Sequence, residues 1–171
     1  MADLFNKLQD ARGLLEKIGG MIPGFGGYLE RERRREADKM LRDTIVNRYG
    51  EQLSRVSNLQ TQLVSSVSGI EYVDDLQDAA TRLQRFIDMV KTASYGYSGF
   101  FDAVKINEAE LAKLYAFDAA LLENVAKVSA AVDNIETSMG GDGLPAAIRN
   151  LVTLVTDCNT TFERRKEVLT S

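Results

Sequence analysis

Apolar residues recur along this chain in steps of three and four, the spacing that puts side chains on one face of an α-helix. Five stretches carry the pattern. Leu4, Leu8, Ala11, Leu15 and Ile18 predict a helix over about 2–18, with Phe5 and Leu14 widening its apolar face and Asp3, Lys7, Asp10, Glu16 and Lys17 opposite. Leu41, Ile45, Tyr49, Leu53, Val56, Leu59, Leu63 and Val67 predict a second helix over about 28–68. At ~1.5 Å per residue it would be roughly 60 Å long. Leu76, Ala80, Leu83, Ile87 and Val90 predict a third over about 73–93. Leu111, Leu114, Asp118, Leu121, Val125, Val128, Val132 and Ile135 mark a fourth over about 107–138, with Asn107 as cap and Glu110 placed to close the capping box. Leu144, Ile148, Leu151, Val155, Cys158 and Phe162 mark a fifth over about 145–170. Pro145 suits its first turn, and Arg164, Arg165 and Lys166 near its end complement the helix dipole.

The predicted fold is therefore all-α: an antiparallel four-helix bundle, preceded by an N-terminal amphipathic helix. Compact connections between long helices make consecutive helices antiparallel. The strongest interruption is Gly19-Gly20-Met21-Ile22-Pro23-Gly24-Phe25-Gly26-Gly27, where glycine and proline are expected to stop the first helix. It divides the chain into residues 1–27, an amphipathic helix with a Gly/Pro hinge, and residues 28–171, the bundle. Gly140-Gly141-Asp142-Gly143 ends the fourth helix.

Composition narrows the chemistry. The 171 residues contain no His, no Trp and a single cysteine, Cys158. Without imidazole, the usual zinc, copper and non-haem iron sites and the Ser–His and Cys–His nucleophile systems are unavailable. Neither a metal nor a cofactor is expected, although an all-carboxylate Mg²⁺ or Ca²⁺ site stays open. Cys158 lies on an apolar stripe and reads as a small buried residue. No segment reaches the ~18 consecutive apolar residues of a membrane span. The start lacks a secretory pattern, and Ala2 excludes myristoylation, so a cytoplasmic location is expected. The net charge of −4 argues against general nucleic-acid binding.

Four features remain after the stripes are assigned to a core. Leu4, Phe5, Leu8, Met21, Ile22 and Phe25 form an apolar arm and hinge that could contact a partner, a second copy or the chain's own bundle. Tyr95, Tyr97, Phe100 and Phe101 fall within seven positions of the connector before the fourth helix, as either a partner-binding surface or a plug on the bundle end. Arg31, Arg34, Arg35 and Arg42 could meet anions or lipid headgroups. The interleaved acids, with Glu30–Arg34 and Asp38–Arg42 at i,i+4, favour a solvated, internally paired face instead. Asp118 occupies a seam position between Leu114 and Leu121, where a buried carboxylate would need a partner such as an Arg or Tyr from a neighbouring helix; a ligand-contacting acid and a residue facing solvent at the seam edge are the alternatives.

The opening Met1-Ala2-Asp3-Leu4-Phe5-Asn6-Lys7-Leu8, leading to Leu14-Leu15-Glu16-Lys17, is loosely similar to the start of phage-shock-protein-A-like membrane-stress proteins. The similarity covers residues 1–17, includes no diagnostic motif and supports no family assignment. The Gly/Pro segment and the shorter later helices depart from that family's long hairpin. What the resemblance implies is a membrane-surface role for the first helix. The expected function is a non-enzymatic interaction or scaffold module that binds a protein partner or itself through the N-terminal helix and the aromatic connector. On this reading, removing residues 1–27 would leave a folded bundle that no longer associates. The alternative is a peripheral membrane binder using the first helix and the Arg-rich start of the second. A small-molecule binder is the least supported.

Overall fold

A computed structural model of the chain describes the backbone of residues 2–27, 34–93 and 108–170, with the side chains of 12–27, 36–93 and 110–167. The fold is an all-α helical bundle. Among the described residues there are five helices and no strand: α1 (Ala2–Met21), α2 (Arg34–Val64), α3 (Val73–Thr92), α4 (Glu108–Ser138) and α5 (Leu144–Thr170), with a 3₁₀ turn at Ile70–Tyr72 before α3.

Helix α2 packs on α3, α3 on α5, α5 on α4 and α4 on α2, which closes a four-membered ring. The hairpins α2/α3 and α4/α5 are antiparallel, as their short connections require. Across the ring, α2 and α4 run side by side in the same direction. Tyr49 meets Leu121 and Arg55 meets Ser129 and Asp133, so position advances together on both helices. Each stripe enters one core: Leu41, Ile45 and Tyr49 from α2, Leu83 and Phe86 from α3, Leu121 and Val128 from α4, and Leu151 and Phe162 from α5 are at most 1 % exposed.

Helix α1 lies against α4. It continues through Gly19 and Gly20 to Met21, beyond the expected stop at 18. Two helical glycines cost about 1 kcal/mol each relative to alanine. The return is burial of Ile18 and Ile22 in the common core, at 0 % and 3 % exposed. The Ile22 N–H still donates to the Ile18 carbonyl at 2.8 Å, and Arg48 of α2 donates to the Met21 carbonyl, so the C-terminus of α1 is capped by a cation. The chain reverses beyond Pro23 through Gly24 at φ +81° and Gly27 at φ +75°. A Cβ on Gly27 would lie 2.5 Å from the Tyr115 hydroxyl and 2.6 Å from Leu15 Cδ1. Only glycine allows this return segment so close to α4.

Helix α2 ends at Val64, short of the expected 68. The turn after it folds back on its own helix: Gly69 packs so closely that a Cβ would sit 2.9 Å from Leu63 Cδ2. Val67, expected on the core stripe, is thereby thrown outward and is 97 % exposed. At the other turn of this end, Gly140 at φ +77° terminates α4, and Pro145 occupies the first turn of α5.

Candidate functional site

The most unusual feature of the core is a charged layer. Asp118 of α4 and Arg165 of α5 are both 0 % exposed, Asp38 of α2 is 2 % and Arg42 is 9 %. Arg165 Nε donates to Asp118 Oδ1 at 2.5 Å, and its Nη2 donates to Asp38 Oδ1. Arg42 Nε donates to Asp38 Oδ2 at 2.8 Å. The guanidinium of Arg165 also lies 6.0 Å from the Phe162 ring centroid. Among the described residues, two cations and two anions are thus desolvated together. Such a layer adds little net stability over an apolar one, but removing one member strands a buried charge. Asp38, Asp118 and Arg165 belong to three helices, so the layer fixes their mutual register.

Each member stands where its helix pattern puts it. Asp118 is a seam residue of α4. Asp38 lies three residues before Leu41. Arg165 lies three residues after Phe162, the next step of the α5 stripe. Arg165 is therefore a core residue and not the dipole complement expected from the sequence. Arg42 is correspondingly removed from the anion- and headgroup-contact set: its guanidinium is engaged by Asp38 inside the protein.

A second polar centre involves Tyr49 and Cys158. The Tyr49 hydroxyl donates to the Leu121 carbonyl at 2.7 Å and lies 3.4 Å from Cys158 Sγ, with the Phe86 ring edge-on at 4.8 Å. Burial raises the Tyr49 hydroxyl far above its ordinary range, and Cys158 adds to the shift. Burial likewise pushes the Cys158 thiol up, with hydrogen bonds to Tyr49 and Asn124 offsetting part of the effect. A thiol held neutral and covered is a packing residue and not a nucleophile. Among the described residues, no cluster of three or more acids or thiols is arranged to hold a metal ion. Nor, among them, is any helix long and apolar enough to cross a membrane.

The remaining candidate is at the surface. Val64, Val67 and Ile70 are 59 %, 97 % and 63 % exposed, and all three surround the α2–α3 turn. Next to them a cleft of about 380 Å³ opens towards the α4–α5 turn, lined by Leu63, Ser66, Gly69, Tyr72, Met139 and Leu144 among others. This end of the bundle is acidic. Residues 55–82 and 127–149 hold seven acids, Glu71, Asp74, Asp75, Asp78, Asp133, Glu136 and Asp142, against four bases, Arg55, Arg82, Lys127 and Arg149. Asp78 pairs with Arg82, while Asp133 and Glu136 pair with Arg55. Glu71, Asp74, Asp75 and Asp142 are exposed around the apolar tip. The Tyr72 hydroxyl registers their field: its hydrogen bond to Glu71, then the charge of Glu71, raises its pKa, with smaller contributions from Asp142 and Asp75.

The residues proposed from the sequence as partner contacts are distributed differently. Ile22 and Phe25 are 3 % and 7 % exposed within the chain's own core, and Met21 is partly buried against it. They are corrected from contact residues to packing residues. The side chains of Leu4, Phe5, Leu8, Arg31, Arg34 and Arg35, and the whole cluster Tyr95, Tyr97, Phe100 and Phe101, lie outside the described residues. The apolar tip was missed because Val67 continues the four-residue spacing of α2. The signal against that reading was Ser65-Ser66-Val67-Ser68-Gly69, a turn-forming composition.

Comparison of the chain with protein-family models, curated proteins and solved structures finds no match in any of the three.

Proposed function

We propose that the chain is a non-enzymatic helical-bundle interaction module whose contact surface is the apolar tip at the α2–α3 turn. The observation that carries this reading is the exposure of Val64, Val67 and Ile70, the exposed large apolar side chains among the described residues. Scattered exposed apolar residues are ordinary, whereas several large ones gathered about one turn mark a candidate contact site. The quartet of buried charges supports the same reading from the other side. Its carboxylates are consumed by arginines, which leaves no free general acid or base there. The hinge residues Ile22 and Phe25 serve the core, which leaves the tip as the exposed apolar surface among the described residues.

The test compares affinity capture from the source cells using the wild-type chain and a Val67→Ser/Ile70→Ser variant, followed by binary binding of purified components. A protein enriched by the wild type, lost with the variant and bound directly in the purified pair supports the proposal. Equal recovery and equal affinity with both chains would refute it.

A further inference from the structure

The tip combines two properties that select one class of partner. Its centre is apolar: Val64, Val67 and Ile70 are exposed about the α2–α3 turn, near a cleft lined in part by Leu63, Met139 and Leu144. Its collar is anionic: Glu71, Asp74, Asp75 and Asp142 are exposed, with Arg149 of α5 sharing a surface groove with Asp75. Asp74 and Asp75 also lie in the first turn of α3, where the helix dipole favours them, which explains two of the four. It does not explain Glu71 or Asp142, which come from separate turns and converge on the same cleft.

Resting on the interaction reading above, we infer that this end docks a basic amphipathic segment of a partner protein, its apolar face on Val64, Val67 and Ile70 and its Lys or Arg residues against the carboxylate collar. Apolar contact supplies the hold and charge complementarity supplies the selection and the encounter rate. An anionic lipid surface meets the collar with like charge and is disfavoured. Self-association tip to tip is disfavoured for the same reason, because a two-fold contact would place one collar against another.

The experiment measures binding of the full chain to three fluorescent amphipathic helices of about 18 residues, long enough to present a continuous apolar face. They share one Leu face and carry Lys, Gln or Glu on the polar face. The Lys helix is expected to bind and the Glu helix not to. Affinity for the Lys helix should fall about tenfold or more with Val67→Ser/Ile70→Ser, as for loss of central apolar anchors. It should fall a further few-fold with Asp74→Asn/Asp75→Asn, and decline as salt is raised. All four positions are exposed, so circular dichroism should show the same helical fold in every variant. Equal binding of the Gln and Lys helices, still dependent on Val67 and Ile70, would overturn the basic-partner inference while leaving the interaction surface in place. Lys-helix binding indifferent to Val67 and Ile70 would mark nonspecific charge attraction and overturn it. So would binding to phosphatidylserine vesicles that depends on those two residues. Failure of all three helices to bind would count against both the inference and the docking surface.

Discussion

Replacing Arg165 by Met tests the charged layer at its centre. The substitution removes one of two cations and leaves Asp118 buried without its Nε partner, while Asp38 keeps Arg42. Breaking a buried pair in this way costs about 3–5 kcal/mol. For a chain of this size each kcal/mol corresponds to about 2–4 °C in Tm, so the melting point should fall by roughly 6–20 °C. Asp118→Leu should cost a similar amount by stranding Arg165. The double variant is the decisive one. Leu has the branching of Asp, and both members of the Asp118–Arg165 pair are gone while Asp38 keeps Arg42. Its stability should return to within about 1–2 kcal/mol of wild type, since apolar replacement of a buried pair is often neutral or favourable. Urea unfolding followed at 222 nm at two protein concentrations gives all four corners of the cycle. A loss under about 1 kcal/mol for Arg165→Met, or additive losses in the double variant, would refute the reasoning.

Other expectations follow from the packing of α1 and from the Tyr49–Cys158 centre. Gly27→Ala meets both a positive φ and the overlaps with Tyr115 and Leu15, and should cost about 2–4 kcal/mol in thermal unfolding. Gly24→Ala, with a positive φ but open space, should cost only about 1–2 kcal/mol; equal effects would contradict the close approach at Gly27. Deleting residues 1–27 uncovers the α4 face that includes Tyr115 and removes Ile18, Ile22 and Phe25 from the core, so the shortened chain should lose cooperative unfolding or aggregate. A wild-type melting curve would instead restore α1 as a detachable arm. Tyr49 and Cys158 are held neutral in the folded chain, whereas the unfolded chain ionises them near about pH 10 and 8.5. Their stabilising contribution is therefore complete below about pH 8.5 and declines as pH rises through and beyond that interval. Tyr49→Phe should cost about 1 kcal/mol at neutral pH and flatten this alkaline decline; an unchanged slope would show that Tyr49 does not carry it.

How far the sequence reaches is clearest at residues where periodicity and local chemistry disagree. On α5 the stripe already steps from Phe162 to Arg165, but a charged residue near a helix end invites a dipole explanation. Nothing in one helix reveals that two carboxylates from other helices converge on it. Asp118 stood out at a seam position between leucines, but the sequence alone left a solvent-facing carboxylate open until its burial against Arg165 was seen. The Gly19-Gly20 pair stopped the expected helix on propensity, whereas burial of Ile18 and Ile22 against α4 carries it on to Met21. Val67 illustrates the opposite case: its spacing is helical, but Gly69 allows the turn to fold onto Leu63 and turns Val67 to solvent. Tertiary packing decided each of these positions, and single-helix periodicity contains no term for it.

Site-specific photo-crosslinking would show whether a partner is contacted at the α2–α3 tip. A photoreactive residue is placed at Val67 and, separately, at Lys127, an exposed position on α4 away from the tip. Both proteins are irradiated in the source cells. A discrete adduct with one protein is expected from position 67, absent from position 127 and competed by excess unlabelled chain. No adduct at 67 above the level at 127, or the same adduct from both positions, would contradict a contact at the tip.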